Sequence, residues 1–400
     1  GDPALIGAVA VGAIIFTFIY WGLGFLRMGT TGLIAQYRGT GDDDSSKAVF
    51  YRSLFLAITL GLVLLLTQTI IASLAFSILG GSSTVEETAA TYFDIRIWSA
   101  PFSLMHLVFI GYLLAHQESK AILLIQLLLN GTNIILDFLF VVGFGWEVSG
   151  VAAATVLAEI FAASIGSYLV IRHAQKVYGT LTVTLPALIN INAIFLTLSI
   201  NRDLMIRTLS LIFAFAWFTN QGAKSGDVIL ATNAILMQFI SFSAFFLDGY
   251  ALAAESLIGT AVGKRNLENF KLVIRYITEL GLATAAVLSI AFFLAAPFVV
   301  DILTNASEVR LEARKYLYWV VAAPLTSVWC YLLDGVFVGA TCTKEMRNAM
   351  LFSLLSYLGA WYFFAPLFFN HGLWLSLHLY FIIRASTLWY YLPLAKARCL

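Results

Sequence analysis

Residues 130–159 read N-G-T-N-I-I-L-D-F-L-F-V-V-G-F-G-W-E-V-S-G-V-A-A-A-T-V-L-A-E. One apolar run ends at the G-F-G-W-E corner and a second begins beyond it, so the stretch predicts two antiparallel helices meeting at a turn. The first holds Asp137 deep in apolar sequence, with Asn133 four residues earlier and therefore one turn below it on the same face. A carboxylate in a bilayer costs roughly 2.5–3.5 kcal/mol on insertion scales, and such residues usually face a bundle interior or a water-filled cavity. Asp137 is therefore read as a proton-exchanging or cation-binding carboxyl; the competing reading is a carboxyl satisfied inside a helix bundle. Thr155, in the antiparallel next helix, and Tyr92, at the start of the third span, carry hydroxyls that reach it if their helices adjoin.

The rest of the chain continues this pattern. Its 400 residues are 60% hydrophobic and 11% charged, with a mean hydropathy of +0.90, against about 25% charged in soluble domains. The composition predicts an all-α polytopic membrane protein, since long Leu, Ile, Ala and Phe runs lack the alternation of a barrel. A net charge of +1 argues against a nucleic-acid partner. Cys330, Cys342 and Cys399 are odd in number and lack metal spacing, so they read as apolar filler. No G-x-x-x-x-G-K-[ST] loop is present, so any transport must draw on an ion gradient, with H⁺ or Na⁺ as coupling ion and no bound cofactor or metal beyond Na⁺ itself.

Charged and Gly/Ser-rich breaks divide the sequence into about eleven spans, near 4–36, 46–79, 86–115, 119–143, 148–174, 193–222, 227–262, 268–302, 308–340, 345–369 and 372–394. Pro101 and Pro324 are expected to bend theirs. Fourteen of the 23 Lys and Arg fall in the connections on one side and four on the other, which places the C-terminus in the cytoplasm and Gly1 outside.

Sliding the chain by about 224 residues sets L-I-A-Q-Y-R-G at 33–39 on L-I-G-T-A-V-G at 257–263, Lys47 on Lys271, and Gly111 with Lys120 on Gly335 with Lys344. Equivalent segments are an even number of spans apart, so both halves cross in the same direction. Such parallel repeats occur in secondary transporters, whose substrate sites lie between the halves. The expected architecture is two pseudo-symmetric helix bundles: an N-lobe at 1–177, a cytoplasmic linker at 178–192 and a C-lobe at 193–400, with a pseudo-two-fold axis along the membrane normal. The span at 193–222 has no counterpart before Gly1, so a twelve-helix protein less its first helix is expected.

Asp137 has no acidic equivalent in the second half, where the shifted position is Trp361. The second half instead carries Asp248, Asp334 and Glu255 within spans, read as cavity or coupling acids. Arg202, Asp203 and Arg207 are expected to pair locally, and Arg27 to answer one of the acids. Met28, Phe16, Tyr20, Trp21, Met105 and Met237 are candidates to line a greasy cavity. His106, His371 and His378 show no ligand spacing.

G-F-L-R-M-G-T-T-G-L-I-A-Q at 24–36, N-x-x-x-D at 133–137 followed by G-V-A-A-A-T-V-L-A-E at 150–159, F-F-L-D-G-Y-A-L-A-A-E at 245–255 and D-G-V-F-V-G-A-T-C-T-K-E-M-R-N-A-M at 334–350 resemble the multidrug and toxic compound extrusion (MATE) transporters, specifically their DinF-like branch. The resemblance covers essentially the whole chain. It implies two six-helix lobes around a central cleft, proton or sodium antiport, and export of amphipathic, often cationic compounds. In that family an N-lobe site pairs a first-helix acid with the Asn and Asp of the fifth helix, near a Tyr and a Thr. Asn133, Asp137, Tyr92 and Thr155 match the last four; the first-helix acid has no position here.

The expected function is thus an ion-coupled exporter in the cytoplasmic membrane, not an enzyme, working as a monomer among lipids. A lipid-linked precursor flippase is the alternative, and it requires a large basic cavity for a pyrophosphate. A histidine-dependent acyltransferase stands last, for want of a matched polar partner near any His.

Overall fold

The computed structural model describes residues 3–79 and 83–400. Among these the chain is helical throughout, with no strand. The helices of its first half are α1 (Pro3–Gly22), α2 (Phe25–Thr40), α3 (Asp43–Leu66), α4 (Gln68–Leu79), α5 (Ser83–Arg96), α6 (Ala100–Ala115), α7 (Ser119–Asp137) and α8 (Glu147–Tyr178). After the short α9 (Leu185–Leu188) come α10 (Ile191–Lys224), α11 (Asp227–Gly263), α12 (Leu267–Leu303), α13 (Ser307–Gly339), α14 (Thr343–Phe368) and α15 (Asn370–Ala397). Pairs of helices run end to end as single rods, α1 into α2, α3 into α4 and α5 into α6, so the eleven expected spans all appear. A 3₁₀ turn at Ile97–Ser99 joins α5 to α6 just before Pro101. Pro101 lies against Gly61, where a Cβ would come within 2.5 Å of its Cα.

Nine helical stretches among the described residues are long and apolar enough to cross a membrane. α10 and α15 are equally long, 34 and 28 residues, but less apolar. They carry Arg202, which pairs with Asp203 of its own helix, and Asp203, Arg207, His371, His378 and Arg384, which have partners on neighbouring helices.

Contacts divide the chain into two compact units, Gly1–Asn201 and Arg202–Leu400, with the division inside α10. In the first, α2 and α3 pack on α6, α1 on α5, and α8 on α5, α6 and α7. Part of its core is aromatic, built on Phe16, Tyr92 and Phe93, with Ile97 packed among them. In the second, α11 and α12 pack on α13, and α14 and α13 on α15, around Phe239, Phe292, Tyr357, Trp374 and Tyr380.

The 224-residue repeat is written into the backbone corners. Asp42 caps α3 by accepting from Ser45 N at 2.9 Å, and Asn266 caps α12 by accepting from Asn269 N at 2.8 Å. The preceding residues, Gly41 and Arg265, both take left-handed φ, +75° and +51°. The next corner repeats the device, with Gln117 at +62° and Thr341 at +50°. Glu118 N bonds Leu113 O, and Cys342 N bonds Phe337 O, each at 2.9 Å.

Gly111 and Gly335 are also equivalent. Each allows a neighbouring helix to approach by its backbone, at Arg27 and Ala251 respectively. A Cβ on Gly335 would meet the Ala251 carbonyl and sit 2.7 Å from its Cα. Since backbone cannot swing aside as a side chain does, Gly335→Ala is expected to destabilise the protein by about 1–3 kcal/mol. Gly359→Ala in α14, where a Cβ meets nothing within 4 Å, is expected to be neutral or stabilising. Melting temperatures of the two purified variants check this, and equal values would contradict it.

α6 and α8 touch at three levels. At the first, Ser103 Oγ donates to Glu159 Oε2. At the second, Phe109, 2% exposed, lies on Gly166, where a Cβ would come 2.9 Å from the ring. At the third, Tyr112 OH meets His173 Nδ1 at 3.2 Å.

Beyond that third level lies His116. Its Nδ1–H donates to Tyr112 O at 2.9 Å, which leaves Nε2 to accept from Tyr178 OH at 2.7 Å. Tyr178 OH also lies 2.9 Å from Ser46 Oγ. Burial pushes the His116 imidazole from 6.5 down to about 3, with smaller contributions from His173 and Arg38. Between those values the unfolded chain binds a proton that the folded chain refuses, so this group's contribution to stability falls as pH drops through the window. His116→Gln retains hydrogen-bonding capacity without the titration. It is expected to lose less melting temperature than the parent between pH 7.5 and pH 5; equal losses would show that His116 does not contribute.

Candidate coupling-ion site

α7 stops at Asp137 because the backbone widens there into a π-turn over Phe138–Gly143, in which Phe144 N reaches Leu139 O at 3.0 Å. π-turns inside helices frequently mark functional positions. Phe140, Phe144 and Trp146 stack at the corner, with centroids 5.0–6.0 Å apart, and hold α8 against α7.

Two of the expected partners meet. Asn133 Nδ2 donates to Thr155 Oγ1 at 3.3 Å, and Thr155 donates in turn to Val151 O of its own helix at 2.9 Å. Asp137 stands one turn from Asn133, and its Oδ1 is enclosed without a hydrogen-bond partner. Leaving a buried acceptor unsatisfied costs roughly 1–3 kcal/mol. Such an oxygen can chemically accept a proton or a small hard cation, for which oxygen ligands are the preferred ones. Among the described residues there is no cluster of three or more His, Cys, Asp or Glu able to hold a metal.

Tyr92 OH accepts from Arg96 Nη1 at 2.5 Å, one turn further along α5, and keeps its own proton to donate. The ring is 2% exposed, sits edge-on to Phe16 and covers Gly12. Asp137 remains within electrostatic reach of it.

Arg96 and Glu159 escaped the sequence reading. The Arg96 guanidinium lies 4.8 Å from the Phe16 centroid and 5.5 Å from that of Tyr92, a cation–π arrangement. Glu159 faces a cavity of about 160 Å³ lined by Tyr20, Ser103, His106, Leu107, Leu129 and Ala162. The usable signal was its place four residues after Thr155, the spacing that had singled out Asn133 and Asp137.

The acids of the second unit fall into two settings. Asp334, 5% exposed, accepts through Oδ2 from both Arg207 of α10 and Arg384 of α15, which are themselves buried. Arg207 thus reaches across to α13 instead of pairing locally as expected, since its stretch of α10 faces the bundle. Arg202 does pair with Asp203, at 3.0 Å, and Asp203 also binds Arg347 of α14 at 2.8 Å. Glu255 is buried on α11 and Asp248 is exposed there; both act electrostatically on Arg207. Met28 is 8% exposed and belongs to the packed interior of its unit. His371 and His378 have hydroxyl partners, Tyr318 at 2.7 Å and Thr326 at 2.9 Å. Trp361, at the position equivalent to Asp137, packs edge-on against Trp217.

A family model described as MatE matches residues 2–139 and 204–362. The chain is 38% identical over 387 residues to the DNA damage-inducible protein F of Escherichia coli strain K12, covering 97% of this chain and 84% of that protein. It is 23% identical to a probable multidrug resistance protein NorM of Bacillus cereus, over 89% of this chain and 79% of the relative. Among solved structures, a crystal structure of MATE in the straight conformation matches with a TM-score of 0.89 at 20% identity, covering 99% of this chain and 89% of the other. A MOP superfamily transporter from Pyrococcus furiosus, described as having a binding pocket of reverse polarity, matches at 0.88 and 20% identity, over 100% and 89%.

Proposed function

The chain belongs to the MatE family of membrane transporters, and from that premise we propose that it is an H⁺- or Na⁺-coupled antiporter exporting amphipathic, cationic compounds from the cytoplasm by alternating access. The observation that carries the reading is the enclosed, partnerless Oδ1 of Asp137 beside the Asn133–Thr155 pair, within a membrane-spanning stretch. A single carboxyl that holds either the coupling ion or a cationic substrate makes the two loadings mutually exclusive, which antiport requires. The distribution of Lys and Arg supports a cytoplasmic C-terminus and insertion in the cytoplasmic membrane.

A flippase for a lipid-linked pyrophosphate calls for free cationic side chains in a cavity, whereas Arg207 and Arg384 both bind Asp334. Efflux of a cationic dye from cells expressing the protein, with and without a protonophore and with and without sodium, tests the proposal. Efflux that ignores both gradients would overturn it.

A further inference from the structure

Glu159 is a further carboxyl that the first unit holds within a membrane-spanning stretch, on the helix that carries Thr155. It lies one turn beyond Thr155 on α8, towards the end of that helix assigned to the cytoplasm. Its Oε2 accepts from Ser103 of α6. The cavity of about 160 Å³ in front of it is bounded by Tyr20 of α1, Ser103 and His106 of α6 and Leu129 of α7. A water needs only about 10–15 Å³ of such space and two to four polar partners, so the cavity has room for several and polar groups to hold them.

The polar groups continue on α7. His106 Nε2 lies 3.1 Å from Gln126 Nε2; Gln126, Asn133 and Asp137 follow at intervals of seven and four, along one face of the helix. Asp137 and Glu159 both act electrostatically on Tyr92. The groups that face Glu159 are therefore Tyr20, Tyr92, Ser99, Ser103 and His106, with Arg96 the cation in reach.

We propose that Glu159 is a proton relay: its carboxylate takes the proton that Asp137 releases, through water in the cavity, and passes it on towards the cytoplasmic end of α8. The O–H bond of the Asp137 acid breaks, an O–H bond forms on Glu159, and one negative charge moves from Glu159 to Asp137. Asp137 is then ionised and open to a cationic substrate before the proton has left the unit. The inference rests on the coupled-antiport reading, with the proton as coupling ion.

Tetraphenylphosphonium has no titratable group, so any proton that appears when it binds comes from the protein. Stopped-flow mixing of this cation with purified protein in weakly buffered solution, followed with a pH indicator, reads the release directly. The parent should release protons promptly, and Glu159→Gln should release them at least tenfold more slowly while still binding the cation; Glu159→Asp should recover much of the rate. Ser103→Ala, which leaves both carboxyls in place, should shift the pH at which release is half-maximal. If the parent releases no proton, proton antiport fails and the relay with it. If the parent releases protons and Glu159→Gln does so equally fast, or the Ser103→Ala profile stays in place, the relay alone is overturned. Loss of cation binding in Glu159→Gln also overturns it, by making Glu159 a substrate ligand.

Discussion

Asp137→Asn is expected to reduce gradient-driven efflux to the background of cells lacking the protein, with unchanged amounts of protein in the membrane. Asparagine fills the same volume and keeps both donor and acceptor capacity beside Asn133. It cannot ionise, so the site no longer alternates between an empty charged state and a loaded neutral one. In the proposed antiport coupling depends on that alternation, whereas folding does not: the native carboxyl already leaves Oδ1 without a hydrogen bond, so the amide sacrifices no native contact there. Asp137→Glu, which titrates but reaches one methylene further past the Asn133–Thr155 pair, is expected to keep partial activity. Parental rates for Asp137→Asn under a proton gradient would make the residue structural, and would direct attention to Asp248 and Asp334.

The largest effect on stability is expected at Asp334. Its carboxylate binds two buried guanidiniums, Arg207 and Arg384. Asp334→Ala strands both, and breaking a buried pair by removing one partner costs about 3–5 kcal/mol. Replacing the three together by apolar residues, Asp334→Leu with Arg207→Met and Arg384→Met, removes the charges of the triad though not that of buried Glu255, and is expected to recover part of that loss, since buried ion networks contribute little over well-packed apolar groups. Unfolding of the purified protein by denaturant titration compares the variants. An Asp334→Ala protein as stable as the parent would show that the two arginines find other partners.

The contrast between these two sites shows what the sequence could reveal. Helix limits were legible to within a few residues, because apolar runs must be about 20 residues long to cross lipid and charged or glycine-rich corners interrupt them. The repeat was legible because Gly111 and Gly335 admit neighbouring backbone, and caps and left-handed corners recur at the same spacing. Asn133 and Thr155 could be paired because their helices are consecutive and antiparallel. Arg207 and Asp334 are 127 positions apart, and Arg384 and Asp334 are 50 apart. Their meeting depends on the rotation and packing order of α10, α13 and α15, which periodicity does not fix. Tyr92 shows the converse, since Arg96, one turn away on its own helix, is a partner that local spacing alone supplies. Glu159 was overlooked because it stands at the end of a run of small apolar residues, although it follows Thr155 by four positions.

The Phe109 ring seated on the backbone at Gly166 has an electrical consequence. The ring separates the polar level of Ser103 and Glu159 from that of Tyr112 and His173. It offers a charge no hydrogen-bonding partner, so a charge held at that level is penalised as any unpaired charge in apolar surroundings is.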